Sequence, residues 1–189
     1  MISYSEVMGQ LESWGNPTRR KFNVQNGAGE NQFGVTLGNL RAYAKKIKRN
    51  HALAMELWSS GNADAMILAT MLMNPDEISA KAAADMIGAL SYFVIVDEFI
   101  YNTVSINPDN NNAYLLWIDS DHELLERAGW NLIIAKILNQ NTQDFDFDFL
   151  IRKIENEMKQ APLRKQESMN RCLCEIGIVL NNTPNVVLL

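Results

Sequence analysis

Apolar residues recur along this chain at helical spacing, and one stretch is apolar on every side. Residues 62–73 read NADAMILATMLM, and between Asp64 and Asp76 the chain carries no charge. Ala65, Met66, Ile67, Leu68, Ala69, Met71, Leu72 and Met73 point all round a helix. A helix that is apolar all round is buried on all sides. At this length it falls short of the about 20 residues needed to cross a bilayer. The pattern therefore predicts an inner helix of a helical body, with other helices packed on its flanks.

Helix starts and breaks follow from capping residues and prolines. Ser3-x-x-Glu6 is a capping box and opens a helix over 3–14. Asn16-Pro17 places a cap before a proline at the first helical position, and the same pair recurs at Asn74-Pro75 and Asn107-Pro108. Thr36 caps a helix over 37–49, with Leu40, Tyr43, Ala44 and Ile47 on one face and Arg41, Lys45, Lys48 and Arg49 on another. Further helices are expected over 51–58, 76–86, 88–105 and 109–118. Ser120-x-x-Glu123 is expected to cap a long helix reaching about residue 139, and helices over 145–160 and 163–180 follow. Residues 144–149 alternate Asp and Phe, but the run is too brief and too acidic for a strand. It reads as a turn leading into a helix, with its carboxylates at the positive N-terminal end.

The expected class is all-α, a single domain over residues 1–189 with 181–189 as a possible tail. An internal echo refines this. Leu57-Trp58 precedes Ala69 by the same spacing that separates Leu116-Trp117 from Ala128. In each copy a helix ends in Leu-Trp, a Ser-containing turn follows, and an apolar helix begins. Repeated helix pairs of this kind suggest an α-solenoid of HEAT type, a curved superhelix in which each unit buries its face against its neighbours. Within the frame, Arg127 stands where the first copy has Leu68.

Charge and cysteine content narrow the chemistry. The formal net charge is −5. Residues 1–60 are net basic, 61–148 strongly acidic and 149–189 mildly basic, which argues against a general nucleic-acid binder yet permits a local basic surface that grips phosphates. Phosphate-binding candidates are Arg19, Arg20, Lys21, Arg41, Lys45, Lys46, Lys48 and Arg49. Cys172 and Cys174 lie two apart on an expected helix, so their side chains diverge by roughly 200°. They are expected to be buried thiols that neither pair nor chelate one metal. No metal site, cofactor or membrane span is expected, and a cytoplasmic location is the simplest reading. The four tryptophans, Trp14, Trp58, Trp117 and Trp130, are expected to pack in the core rather than stack on bases.

The blocks Phe33-Gly-Val-Thr-Leu-Gly-Asn-Leu-Arg41, Ala44-Lys-Lys-Ile47, Leu53-Ala-Met-Glu-Leu-Trp58-Ser-Ser-Gly61, Ala65-Met-Ile-Leu-Ala69 and Asn74-Pro75, with Trp117-Ile-Asp-Ser120 and Ala128-Gly-Trp130, resemble the DNA alkylation repair family, the AlkD-like HEAT-repeat proteins. The resemblance implies helical repeats that hold duplex DNA and, in active members, hydrolysis of the N-glycosidic bond of N3- and N7-alkylated purines. A carboxylate there stabilises an oxocarbenium-like sugar, and aromatic residues flank it. Carried over by position, Asp97 is the catalytic carboxylate, with Phe93 four residues before it in place of the family's tryptophan. Arg127 matches an arginine that grips the DNA backbone. Arg171 falls where the family has a second aromatic residue, ahead of Leu173-Cys-Glu175. The helical wheel places Asp97 with Met86, Leu90, Phe93 and Tyr101 on an apolar face, apart from the polar set Ser91, Glu98, Asn102 and Ser105. On such a face Asp97 is expected to be desolvated. Arg41 and Lys45 join Phe93, Tyr101, Arg127 and Arg171 as candidate DNA-binding residues. The alternative to a glycosylase is a non-catalytic relative, binding DNA or a protein partner on its helical scaffold.

Overall fold

A computed structural model describes residues 2–143 and 145–182, and every regular element among them is helical. The chain divides into two compact units, residues 1–110 and 111–189.

In the first unit, helices α1 (Tyr4–Ser13), α2 (Pro17–Gln25), α3 (Leu37–Ile47), α4 (His51–Ser59), α5 (Ala63–Leu72), α6 (Ala80–Gly88) and α7 (Phe93–Asn102) follow in order. The caps act where the sequence placed them. Ser3 and Glu6 form the reciprocal box of α1, Asn16 accepts from the Arg19 N–H, and Thr36 accepts from the Asn39 N–H. Helix α5 is the inner helix that its pattern predicts: every residue from Ala63 to Thr70 is buried, and α1, α3, α4 and α7 pack around it.

One charge sits inside that helix. Asp64, only 2 % exposed, accepts hydrogen bonds from the backbone N–H groups of Phe33 (2.6 Å), Gly34 (2.9 Å) and Val35 (3.0 Å). Burial raises its pKa, against the pull of these three donors and of the Arg19 charge. The clamp draws the 33–35 segment onto the helix. Gly34 sits at φ +81°, and a Cβ there would lie 2.5 Å from the Asn16 carbonyl oxygen. Both its conformation and its clearance therefore require glycine.

Two expected helices are shorter than their patterns suggest. The 88–105 stretch is helical only from Phe93. Before it, the Ser91 hydroxyl donates to the Gly27 carbonyl (3.0 Å) and Tyr92 is extended. The 76–86 helix begins at Ala80, after a 3-10 turn over Pro75–Glu77.

In the second unit, α8 (Tyr114–Trp117), α9 (Glu123–Leu138), α10 (Phe147–Glu157) and α11 (Leu163–Asn182) follow. The expected 109–118 helix survives only as the four-residue α8. Upstream, the Asn107 amide donates to the Pro75 and Ile78 carbonyls and the Asn110 amide to the Ile78 and Val104 carbonyls. Side chains that bond backbone in this way compete with a helix. Helix α9 is capped by His122, whose Nδ1 accepts from the Leu125 N–H (3.3 Å), rather than by Ser120, whose hydroxyl accepts from the His122 N–H. Nearly all of α9 from Leu124 to Ile137 is buried, with α8 and α11 packed against it. Gly129 lets the α8 end approach, since a Cβ there would lie 2.8 Å from the Ile118 nitrogen. Asp146 caps α10 through the Phe149 N–H (2.8 Å), as the acidic alternation predicts, though Asp144 lies outside the described residues. The end of the expected tail, residues 183–189, also lies outside them.

The two copies of the echo agree at Ala69 and Ala128, both fully buried. They part at the Leu-Trp pair: Leu57 is fully buried, whereas Leu116 is 80 % exposed. The tryptophans pack as expected. Trp14 meets Tyr43 edge-on (5.2 Å), Trp58 lies against Phe99 (5.1 Å), and Trp117 and Trp130 are buried.

Candidate functional site

The basic face of α3 forms one wall of a groove of about 390 Å3. Arg41, Ala44, Lys45, Lys48 and Arg49 line it, together with Met71 of α5 and Asn102 of α7. Arg41, Lys45, Lys48 and Arg49 are all exposed. Two of them are also tied to the fold. Arg41 Nη2 donates to Glu98 Oε1 (2.6 Å), and Arg49 Nη1 donates to the Met73 carbonyl at the C-terminal end of α5 (3.0 Å). These bonds hold two guanidinium groups at the rim. The amide of Asn102 bridges Glu98 (3.0 Å) and the Thr70 hydroxyl (3.2 Å) and so fixes the carboxylate that Arg41 meets.

Lys48 has an unusual backbone. It ends α3 at φ 67°, ψ 177°, a region that is essentially glycine territory. The side chain that reaches the groove is therefore kept at a conformational cost. Sequence reading placed Lys48 on the basic face, but no residue pattern announces a left-handed lysine.

On α7 the structure reverses the expected faces. Glu98, assigned to a polar face, is 8 % exposed, because Arg41 reaches it. Asp97, expected to be desolvated, is only half-buried, as are Phe93 and Tyr101. The buried side of α7 is Ile95, Val96, Glu98, Phe99 and Ile100. Phe93, Asp97 and Tyr101 recur every four residues and so share a partly exposed stripe. At ~100° per residue this stripe lies around the helix from Glu98, which meets Arg41, and from Asn102, which lines the groove. The Phe93 ring also meets that of Tyr92 (5.8 Å).

Arg127 lies in the second unit and is 7 % exposed. Its Nη1 donates to Glu167 Oε2 (2.8 Å) and to the Arg164 carbonyl (2.9 Å), both on α11. Glu123, one turn before it, accepts from the Arg164 N–H (2.7 Å). Beside this pair, Lys165 is buried between Glu126 and Glu157, and Lys153 bridges Asp119 and Glu157. Burial lowers the Lys165 pKa, but the two carboxylates outweigh it and raise the value overall. Lys136 is also buried, over the rings of Tyr114 and Phe145.

Arg171 is exposed on α11. Its neighbours correct the cysteine expectation: Cys172 is buried, its thiol pushed up to about 12 by burial, but Cys174 is exposed. The divergence that keeps the two thiols apart carries one of them to the surface. Among the described residues no group of three or more His, Cys, Asp or Glu gathers to hold a metal ion. No helix among them is long and apolar enough to cross a membrane.

Comparison with known proteins gives this arrangement a setting. Uncharacterized proteins of Listeria monocytogenes and Listeria innocua are each 23% identical over 185 residues, an overlap covering 94% of this chain and 80% of theirs. A solved structure, described as belonging to a new family of proteins related to the HEAT-like repeat DNA glycosylases with affinity for branched DNA structures, superposes with a TM-score of 0.86. That match has 28% identity and covers 94% of this chain and 77% of the other. The all-helical fold is thus a HEAT-like repeat fold. The family model described as DNA alkylation repair enzyme matches residues 7–183, and the chain belongs to that family.

Proposed function

We propose that this chain is a DNA-binding member of its family that grips the DNA backbone through the α3 groove. The observation that carries the reading is the clustering of Arg41, Lys45, Lys48 and Arg49 on one groove, with Lys48 held there in a glycine-like conformation. Exposed cations on a rigid helix can neutralise successive phosphates, a sequence-independent contact that releases counterions. The affinity for branched DNA ascribed to the similar solved structure supports DNA as the partner. Arg171, exposed on α11, is a further backbone contact in this reading, whereas Arg127 acts by holding α11 through Glu167. A cytoplasmic location belongs to the same reading.

The test is fluorescence anisotropy with labelled duplex across a salt series. Log affinity is expected to fall linearly with log salt, with a slope of about −0.9 per phosphate neutralised. Binding that does not weaken as salt rises would overturn the proposal.

One observation favours a second reading. Phe93, Asp97 and Tyr101 share a partly exposed stripe, so a carboxylate with aromatic residues one turn to either side reaches the surface. A positively charged alkylpurine weakens its own glycosidic bond, and a carboxylate near the sugar would stabilise the developing cation. In this reading the chain is an alkylpurine glycosylase. It releases 7-methylguanine from duplex DNA, and Asp97→Asn abolishes release. Base release no faster than in enzyme-free controls would dismiss it and leave the binding proposal intact.

A further inference from the structure

Helix α2 contributes no apolar side chain to the core. Its buried residue is Asn23, whose amide donates to Gln32 Oε1 (2.9 Å). The helix is held by polar bonds and close backbone contact instead. The Asn16 N–H donates to the Phe33 carbonyl (2.9 Å), and Arg20 donates to both the carbonyl and the carboxylate of Glu30 (2.9 Å each). Gly34 admits the first turn of the helix at close range. Phe22, by contrast, is 61 % exposed. With most of the residue in solvent, core packing does not account for the ring.

The surroundings of Phe22 are cationic. Arg19 lies one turn before it on the same side, Lys21 is its chain neighbour, and both are exposed. No acidic residue occurs within α2. Arg20 is bonded to Glu30, and the exposed cations beside the ring are Lys21 and Arg19, whose charge also acts on Asp64. An exposed ring among exposed cations has the composition of a single-strand platform, where a base stacks on the aromatic face and flanking cations hold the phosphates.

We propose that Phe22 is a stacking platform for an unpaired base of DNA, with Arg19 and Lys21 on the adjoining phosphates. The proposal rests on the DNA-binding reading and adds a preference to it. A fully paired duplex hides its base faces inside the stack and offers the α2 surface phosphates alone. A fork or other branch exposes base faces that the ring can cover. Helix α2 therefore confers selectivity for DNA containing unpaired bases, while the α3 groove binds backbone of either kind.

The experiment measures anisotropy for two probes of the same sequence, a blunt duplex and a fork with single-stranded arms, using the full chain with Phe22→Ala and Phe22→Trp. Thermal midpoints are recorded alongside to confirm that both variants fold. The alanine variant is expected to bind the fork roughly tenfold more weakly, within the range of base–aromatic stacking, with duplex affinity unchanged. The tryptophan variant is expected to retain fork binding. Equal fork affinity for wild type and Phe22→Ala overturns the proposal and leaves the backbone reading standing; it is also the outcome if the ring docks a protein. An equal loss on both probes overturns it too. If wild type binds neither probe, the DNA-binding reading itself fails.

Discussion

The first 60 residues and the α9–α11 region contain similar kinds of cation and use them differently. Around α3, Arg41, Lys45, Lys48 and Arg49 are exposed, and where they bond to the fold they do so from the rim. Around α9, Arg127, Lys136 and Lys165 are buried, paired with carboxylates or laid over rings. The difference lies in what surrounds each charge. The acidic middle of the sequence supplies Glu123 and Glu126 to α9, where α11 presents the Arg164 backbone N–H and the Lys165 ammonium to meet them. On the α3 side, the buried carboxylate that a cation meets is Glu98, through Arg41. A basic tally by segment does not distinguish cations that hold helices together from cations that face solvent. Their partners do.

The largest expected effect comes from breaking the buried set. Lys165→Ala leaves Glu126, itself 9 % exposed, beside a vacated cation position. Removing one partner of a buried pair is expected to cost about 3–5 kcal/mol. Urea unfolding would show this as a markedly lower midpoint, whereas Lys45→Ala on the exposed face should stay within about 0.5 kcal/mol of wild type. Equal shifts for the two variants would erase the contrast between the regions.

A smaller effect of opposite sign is expected at Lys48. A non-glycine residue held at its backbone angles costs about 1–3 kcal/mol. Glycine relieves that strain but loses about 0.5–1 kcal/mol through greater freedom in the unfolded chain. Lys48→Gly should therefore stabilise the fold by about 1 kcal/mol while weakening duplex binding. A variant that gains stability and keeps full affinity would show that the lysine serves no ligand.

The sequence made the inner helices legible because burial on all sides leaves a run without charge, as in α5. Capping chemistry was equally legible at Ser3, Asn16 and Thr36, since each depends on residues three apart. What it hid depends on distant partners. Asp64 looks like an acidic residue near a helix start, and only the fold brings the 33–35 amides to it. Glu98 sits on a polar stripe until Arg41, 57 residues earlier, buries it. The 109–118 pattern was overridden by Asn107 and Asn110, whose amides reach carbonyls up to 32 residues away. At the candidate site the cations of α3 were readable from their periodicity. The left-handed Lys48 and the exposure of Phe22 were not, because neither strain nor a missing packing partner leaves a pattern in sequence.

The most direct measurement compares the salt dependence of duplex binding for wild type and for the double variant Lys45→Gln/Lys48→Gln. Both side chains are exposed, and neither substitution removes a partner from a buried carboxylate. If the α3 groove holds the backbone, the slope of log affinity against log salt becomes shallower by about 2, close to 0.9 for each phosphate no longer neutralised. An unchanged slope, with the variant folded, would contradict the assignment of DNA binding to this groove.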